Sequence, residues 1–135
     1  MYRTVAQLDS LTALLAQFFP QQCSRFTLPE RSIEGRPVHA VRLRAGSGPQ
    51  RRGVLLIGGT HARELMNPDA LVELAVQMVV SYRNGTDIVL GGRTWPAADI
   101  KIMMEALDIY IVPCVNPGRS DPGDDRRRHV AQEPA

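Results

Sequence analysis

Val54-Leu55-Leu56-Ile57-Gly58-Gly59-Thr60-His61-Ala62-Arg63-Glu64 places three signals in one short stretch. Its first four residues are a continuous apolar run, the pattern of a strand covered on both faces. Two glycines leave that run and let the backbone turn tightly. A histidine and a glutamate follow at i, i+3. Beyond them, Asn67 is suited to cap a helix, Pro68 to its first position, and Asp69 to the positive end of its dipole. Leu71, Leu74, Ala75, Met78, Val79 and Tyr82 then form an apolar stripe that reaches Arg83.

Neutral imidazole and carboxylate are both good zinc ligands. Open α/β sheets bind ligands outside the carboxyl ends of their strands, where His61 and Glu64 fall. The spacing alone is weak. Three histidines and six glutamates in 135 residues produce His-x-x-Glu by chance with a probability of about 0.13. A surface histidine and a first-turn glutamate favoured by the helix dipole are the competing account.

Upstream, Val5, Leu8, Leu11, Leu15 and Phe18 share one helical face, and Pro20 stops that helix near Phe19. Ser24 to Leu28 is a strand candidate. Ser32-Ile33-Glu34-Gly35-Arg36-Pro37 supplies turn chemistry, and Val38 to Leu43 alternates as a half-buried strand does, so the region reads as a β-hairpin. Downstream, Asn84-Gly85-Thr86-Asp87 ends the second helix, a third spans Ala98 to Leu107, and Asp108 to Val115 is another buried strand. The order strand, helix, helix, strand implies a parallel crossover. The expected fold is α/β: a mixed, mainly parallel central sheet flanked by helices, with an N-terminal helix and a β-hairpin.

Hydrophobic residues make up 44% of the chain, enough for a core, and the formal net charge is only +2. Neither a nucleic-acid partner nor a membrane surface is expected from that balance. The N-terminus lacks the apolar centre of a signal peptide, which points to the cytoplasm, or to secretion if the true start lies upstream. Cys23 and Cys114 match no metal spacing. Cys114 sits in an apolar run, where buried thiols are common, and a disulfide between the two is the lesser alternative.

Context strengthens the histidine–glutamate pair. Arg31-Ser32-Ile33-Glu34-Gly35-Arg36-Pro37 resembles the Arg-Ser-x-Glu-Gly-Arg hairpin of zinc carboxypeptidases. Gly58 to Glu64 resembles their first zinc-binding motif, and Ile109 to Pro117 resembles the strand that leads into Asn-Pro-Asp-Gly. The three stretches occur in the family's order. The resemblance implies an enzyme that removes C-terminal residues from peptides or proteins, with Zn²⁺ held by two histidines and a glutamate. It makes His61 and Glu64 the first two metal ligands, and it gives Arg63 a part in holding the peptide. Arg63 is otherwise a solvated arginine near a helix start.

Residues 1–117 then form the N-terminal part of a zinc carboxypeptidase-like catalytic domain. The family's third ligand and its general-base glutamate come from later segments, and neither is expected in this chain. His39 is better explained as a polar strand position. His129 lies in residues 118–135, whose composition cannot build a core and reads as a disordered tail. Asn116-Pro117 is followed by Gly118-Arg119-Ser120 where the family has Asp-Gly-Arg. Removing one base from codons for Pro-Gly-Arg-Ser restores Pro-Asp-Gly-Arg, so a frame-shifted, truncated chain with weak or no activity is expected. Aligning Gly123, Asp125 and Arg128 with a later family segment is the lesser alternative. Two other functions stay open: a non-catalytic remnant or binding module that self-associates through an exposed sheet edge, and a zinc amidohydrolase acting on acylated amino acids. The hairpin motif favours the peptidase.

Overall fold

A computed structural model of the chain describes residues 2–61 and 66–117. Helix α1 runs Val5–Phe18. It starts where Thr4 and Gln7 form a reciprocal capping box, each side chain accepting from the other's backbone N–H. It ends where the Phe19 N–H donates to Leu15 O, just before Pro20. Its buried face is Leu8, Thr12 and Leu15.

Strands β1 (Cys23–Arg31) and β2 (Pro37–Leu43) form the expected hairpin. β1 runs past Leu28 to Arg31, beyond the strand read from the sequence. The register shifts between Thr27 and Arg31, and β1 is an outer strand of the sheet, two conditions under which Pro29 is tolerated. Strand β3 is Arg52–Ile57, and helix α2 is Met66–Asn84. Because α2 starts at Met66, Asn67 and Pro68 lie inside its first turn rather than at its cap; Asp69 is in that turn as expected. Arg3 grips this helix start. Its backbone N–H and its Nη1 donate to the two oxygens of Asp69 at 3.2 and 3.0 Å.

Between the second and third helices lies a small hairpin that the sequence reading passed over. It consists of β4 (Ile88–Leu90) and β5 (Arg93–Trp95). Gly91 and Gly92, both at positive φ, form its two-residue turn. Helix α3 (Ala97–Ala106) then leads directly into β6 (Leu107–Val112).

The main sheet has the order β1-β2-β6-β3. The mixed α/β architecture is as expected. Its parallel component among the described residues is the β3·β6 pair, aligned from Arg52↔Leu107 to Ile57↔Val112. The hairpin and the β2·β6 contact are antiparallel, so the sheet of the described residues is mixed but mostly antiparallel where a mainly parallel one was expected. The crossover from β3 to β6 through α2 and α3 is thus the classical reason for parallel pairing, whereas β1 and β2 are joined by a short turn and must run antiparallel.

Strand alternation divides the sheet into two unlike faces. Cys23, Val41, Leu43, Ile109, Ile111 and Leu56 point to one face, where they pack with Leu15 of α1, Ala75, Met78 and Val79 of α2, and Ile100 and Met104 of α3. The other face carries Phe26, Ala40, Arg42, Leu55, Ile57, Tyr110 and Val112; its buried cluster is only Val38, Ala40 and Val112, with Leu28 beside it. No described helix is long and apolar enough to cross a membrane. No disulfide joins Cys23 to Cys114, and both are buried. Burial pushes the Cys23 thiol up to about 11, so it stays protonated at neutral pH.

Candidate functional site

The parallel strands β3 and β6 end side by side at Ile57 and Val112. Their hydrogen bonding continues beyond those ends. The Gly58 N–H donates to Val112 O at 2.9 Å, Val115 N–H to Gly58 O at 3.0 Å, and Asn116 N–H to Gly59 O at 3.2 Å. Backbone hydrogen bonds therefore stitch the two exit segments together.

Closeness explains the glycines better than turning does. A Cβ at Gly58 would lie 2.7 Å from Pro113 O and 2.8 Å from Leu71 Cδ1. At Gly59 it would lie 2.9 Å from Cys114 Sγ, and there φ is also +63°. Gly59 thus combines a left-handed backbone with a contact that no side chain fits. Two residues later His61 emerges, exposed, at the carboxyl end of the parallel pair.

The hairpin turn reaches the same corner. Ser32 N–H donates to Arg36 O at 2.9 Å, Arg36 N–H to Ser32 Oγ at 3.1 Å, and Arg31 Nη1 to Gly35 O at 3.0 Å. From this frame the Arg36 guanidinium donates to Pro117 O at 3.2 Å, while its Nε lies 3.5 Å from Glu34. The three sequence stretches, 31–37, 58–61 and 112–117, therefore meet. Arg36 is the residue whose part was missed. It stood in a quoted motif, but nothing in the sequence says that its side chain crosses to a carbonyl 81 positions away.

Of the expected site residues, His61 is described; Arg63, Glu64 and His129 lie outside the described residues. A zinc site needs at least three protein ligands. Among the described residues no group of three or more His, Cys, Asp or Glu side chains is placed to hold a metal ion. At this corner the described chain offers one imidazole.

His39 is elsewhere, as expected of a strand position. It faces α1, shares a 3.1 Å hydrogen bond between Nδ1 and Thr27 Oγ1, and has Nε2 3.7 Å from Asp9. Burial holds its pKa below the ordinary value. Asp9 pulls it up and Arg25 pushes it down, with burial the larger influence.

Residues 8–118 match the family described as zinc carboxypeptidase. The chain belongs to that family. Among curated relatives, this carboxypeptidase-family chain is 27% identical over 119 residues to the protein named inactive metallocarboxypeptidase ECM14 of Blastomyces gilchristii, covering 86% of this chain and 18% of that one. It is also 27% identical over 132 residues to carboxypeptidase D of Mus musculus, covering 86% of this chain and 9% of that one. The chain therefore spans less than a fifth of the curated relatives it matches. Its fold superposes on thrombin-activatable fibrinolysis inhibitor with a TM-score of 0.74 at 16% identity, covering 90% of this chain and 27% of that one. It superposes on carboxypeptidase A of Helicoverpa armigera with a TM-score of 0.67 at 17% identity, covering 88% and 25%.

Proposed function

We propose that this chain carries the first two zinc ligands, His61 and Glu64, of a metallocarboxypeptidase-type hydrolase that releases C-terminal residues from peptides. The observation that carries the proposal is the glycine turn stitched to the β6 exit, which presents His61 to solvent inside the segment matching the family. In this reading a bound Zn²⁺ supplies Lewis acidity and lowers the pKa of a water. His61 contributes a neutral imidazole and Glu64 a carboxylate. Arg63 contributes a guanidinium suited to pairing with oxygens of the peptide substrate. Arg36, held to Pro117 O, keeps the neighbouring wall of the site in place.

Among the described residues no third ligand stands beside His61, so the 135-residue chain by itself is expected to hold zinc weakly and show little peptidase activity. Zinc titration against a chromophoric chelator tests the ligand assignment. His61→Ala and Glu64→Ala should each abolish what binding there is, with far-UV circular dichroism unchanged. Equal binding by wild type and both variants would overturn it. Robust, chelator-sensitive release of a C-terminal residue from a reporter peptide would overturn the expectation of weak activity. Release of an acyl group from an acylated amino acid, without peptide cleavage, would select the amidohydrolase alternative.

A second reading is favoured by one observation. β3 is an outer strand among the described residues, and its Leu55 and Ile57 are 59% and 52% exposed. It has no charge or proline between Gly53 and Ile57 to block pairing with another strand. In this reading the chain is a non-catalytic module that pairs with a second copy through this edge, consistent with similarity to a relative named inactive. Light scattering distinguishes the two readings. Concentration-dependent association that Leu55→Lys suppresses supports the module, and a monomer at all concentrations removes it.

A further inference from the structure

The turn between β1 and β2 is organised around one side chain, that of Arg36. Gly35, at φ +74°, donates its N–H to Ser32 O at 2.8 Å, and Ser32 N–H donates to Arg36 O at 2.9 Å. The Ser32 hydroxyl oxygen accepts from Arg36 N–H, and Arg31 Nη1 donates to Gly35 O. Glu34 places its carboxylate 3.5 Å from Arg36 Nε. An ion pair this exposed adds little stability, but it fixes the direction of a long, flexible side chain. Ile33 has no share in this arrangement and is fully exposed. Every polar side chain from Arg31 to Arg36 thus closes the turn or aims the guanidinium.

What the guanidinium reaches is Pro117 O, at 3.2 Å. Proline has no N–H, so this carbonyl is the backbone group by which residue 117 can be held. The residues just before it hold the glycine turn: Val115 N–H donates to Gly58 O and Asn116 N–H to Gly59 O. Pro37, the neighbour of Arg36, lines one small cavity with Pro113, Cys114 and Pro117, so the hairpin also packs against this segment. A continuous path of bonds therefore runs from the hairpin, through residues 115–117, to the turn that ends at His61.

We propose that Arg36 is a positioning residue for the metal site. By holding Pro117 O it keeps residues 113–117 in register with the Gly58–Gly59 turn, and so sets the direction in which His61 leaves that turn. The proposal rests on the reading of His61 as a zinc ligand. Arg36 itself touches neither metal nor substrate. Groups behind a ligand that fix its orientation change metal affinity by about 10- to 100-fold when removed.

The test compares Arg36→Gln with Ile33→Ala, a change on the same turn outside the clamp, in the ¹⁵N-labelled full chain. In Arg36→Gln, amide exchange at Val115 and Asn116 should speed up, with Ala75 and Val79 of α2 exchanging as in wild type. Zinc affinity, read from the His61 imidazole resonances during titration, should fall by about tenfold. Ile33→Ala should change neither, and Arg36→Lys, which keeps a donor for Pro117 O, should recover part of both. Unchanged exchange in Arg36→Gln would overturn the clamp. Faster exchange with unchanged zinc affinity would overturn the positioning role and leave a structural one. Zinc binding that ignores His61→Ala defeats the ligand assignment instead. In that event the zinc-free His61 imidazole resonances decide: displacement in Arg36→Gln alone supports positioning, and no displacement refutes it. Should Arg36→Gln fail to fold, Glu34→Gln replaces it, with smaller changes expected in the same directions and none refuting the proposal.

Discussion

The two faces of the sheet are made by the same strands, yet they differ in almost every respect. On one face Val41, Leu43 and Ile111 are sealed beneath three helices. On the other, one residue along each strand, Phe26, Leu55 and Ile57 are exposed, and the buried Arg42 Nε meets no acceptor among the described residues. The lesson is that apolar strand residues do not by themselves make a core. The helices do, and among the described residues all three are on one side. The sequence run Val54-Leu55-Leu56-Ile57 reads as a strand covered on both faces, but in the described structure only Leu56 is packed into the main cluster.

Mutations should therefore cost very different amounts on the two faces. Ile111→Ala removes a fully buried side chain beneath the helices and should destabilise the chain by about 3 kcal/mol in urea unfolding, whereas Leu55→Ala on the same sheet should change it by less than about 0.5 kcal/mol. Equal losses would break the comparison.

The glycine turn should be nearly as sensitive as the helix-covered face. Gly59→Ala forces a Cβ to 2.9 Å from Cys114 Sγ at a left-handed backbone position, and should cost about 2 kcal/mol. Hydrogen exchange of the Val115 and Asn116 amides should speed up in that variant, since both donate to this turn.

Smaller effects mark how α1 is held on the covered face. Thr4→Ala removes half of the capping box and should lower stability by about 1 kcal/mol, measured by thermal or urea unfolding.

The smallest effect is the pH dependence of the α1 contact. His39 has its folded pKa held below 6.5, chiefly by burial, so the unfolded chain binds more protons as the pH falls through that range. Its contribution is complete above about pH 6.5 and is lost as the pH falls through the lower folded value. Tm measured between pH 7.5 and 5 should fall less steeply in His39→Gln than in wild type. An unchanged slope would remove His39 from the account.

Much of the fold was legible because it rests on local chemistry. The helical stripe of α1, Pro20 as its stop, the hairpin turn at Ser32–Arg36 and the parallel crossover all come from short-range patterns. The β4·β5 hairpin was legible too, in Leu90-Gly91-Gly92-Arg93, but its strands are so short that the glycines read only as loop. The start of α2 was misread by local rules, since Asn67 and Pro68 suit a cap and the helix begins at Met66. For the site, the sequence singled out His61, Arg63 and Glu64 from their motif, and the structure describes the first of them.

By itself, the sequence determined the family, the order of the elements and the identity of the candidate ligands, because periodicity, turn residues and motif spacing are properties of neighbouring residues. Only the tertiary structure decided that Gly58 and Gly59 are glycines for want of space, that Arg36 bridges to Pro117, and that the buried Arg42 Nε meets no acceptor among the described residues. Those facts depend on which distant backbone and side-chain atoms come within a few ångströms of each other, and contact between remote segments has no period that a sequence can display.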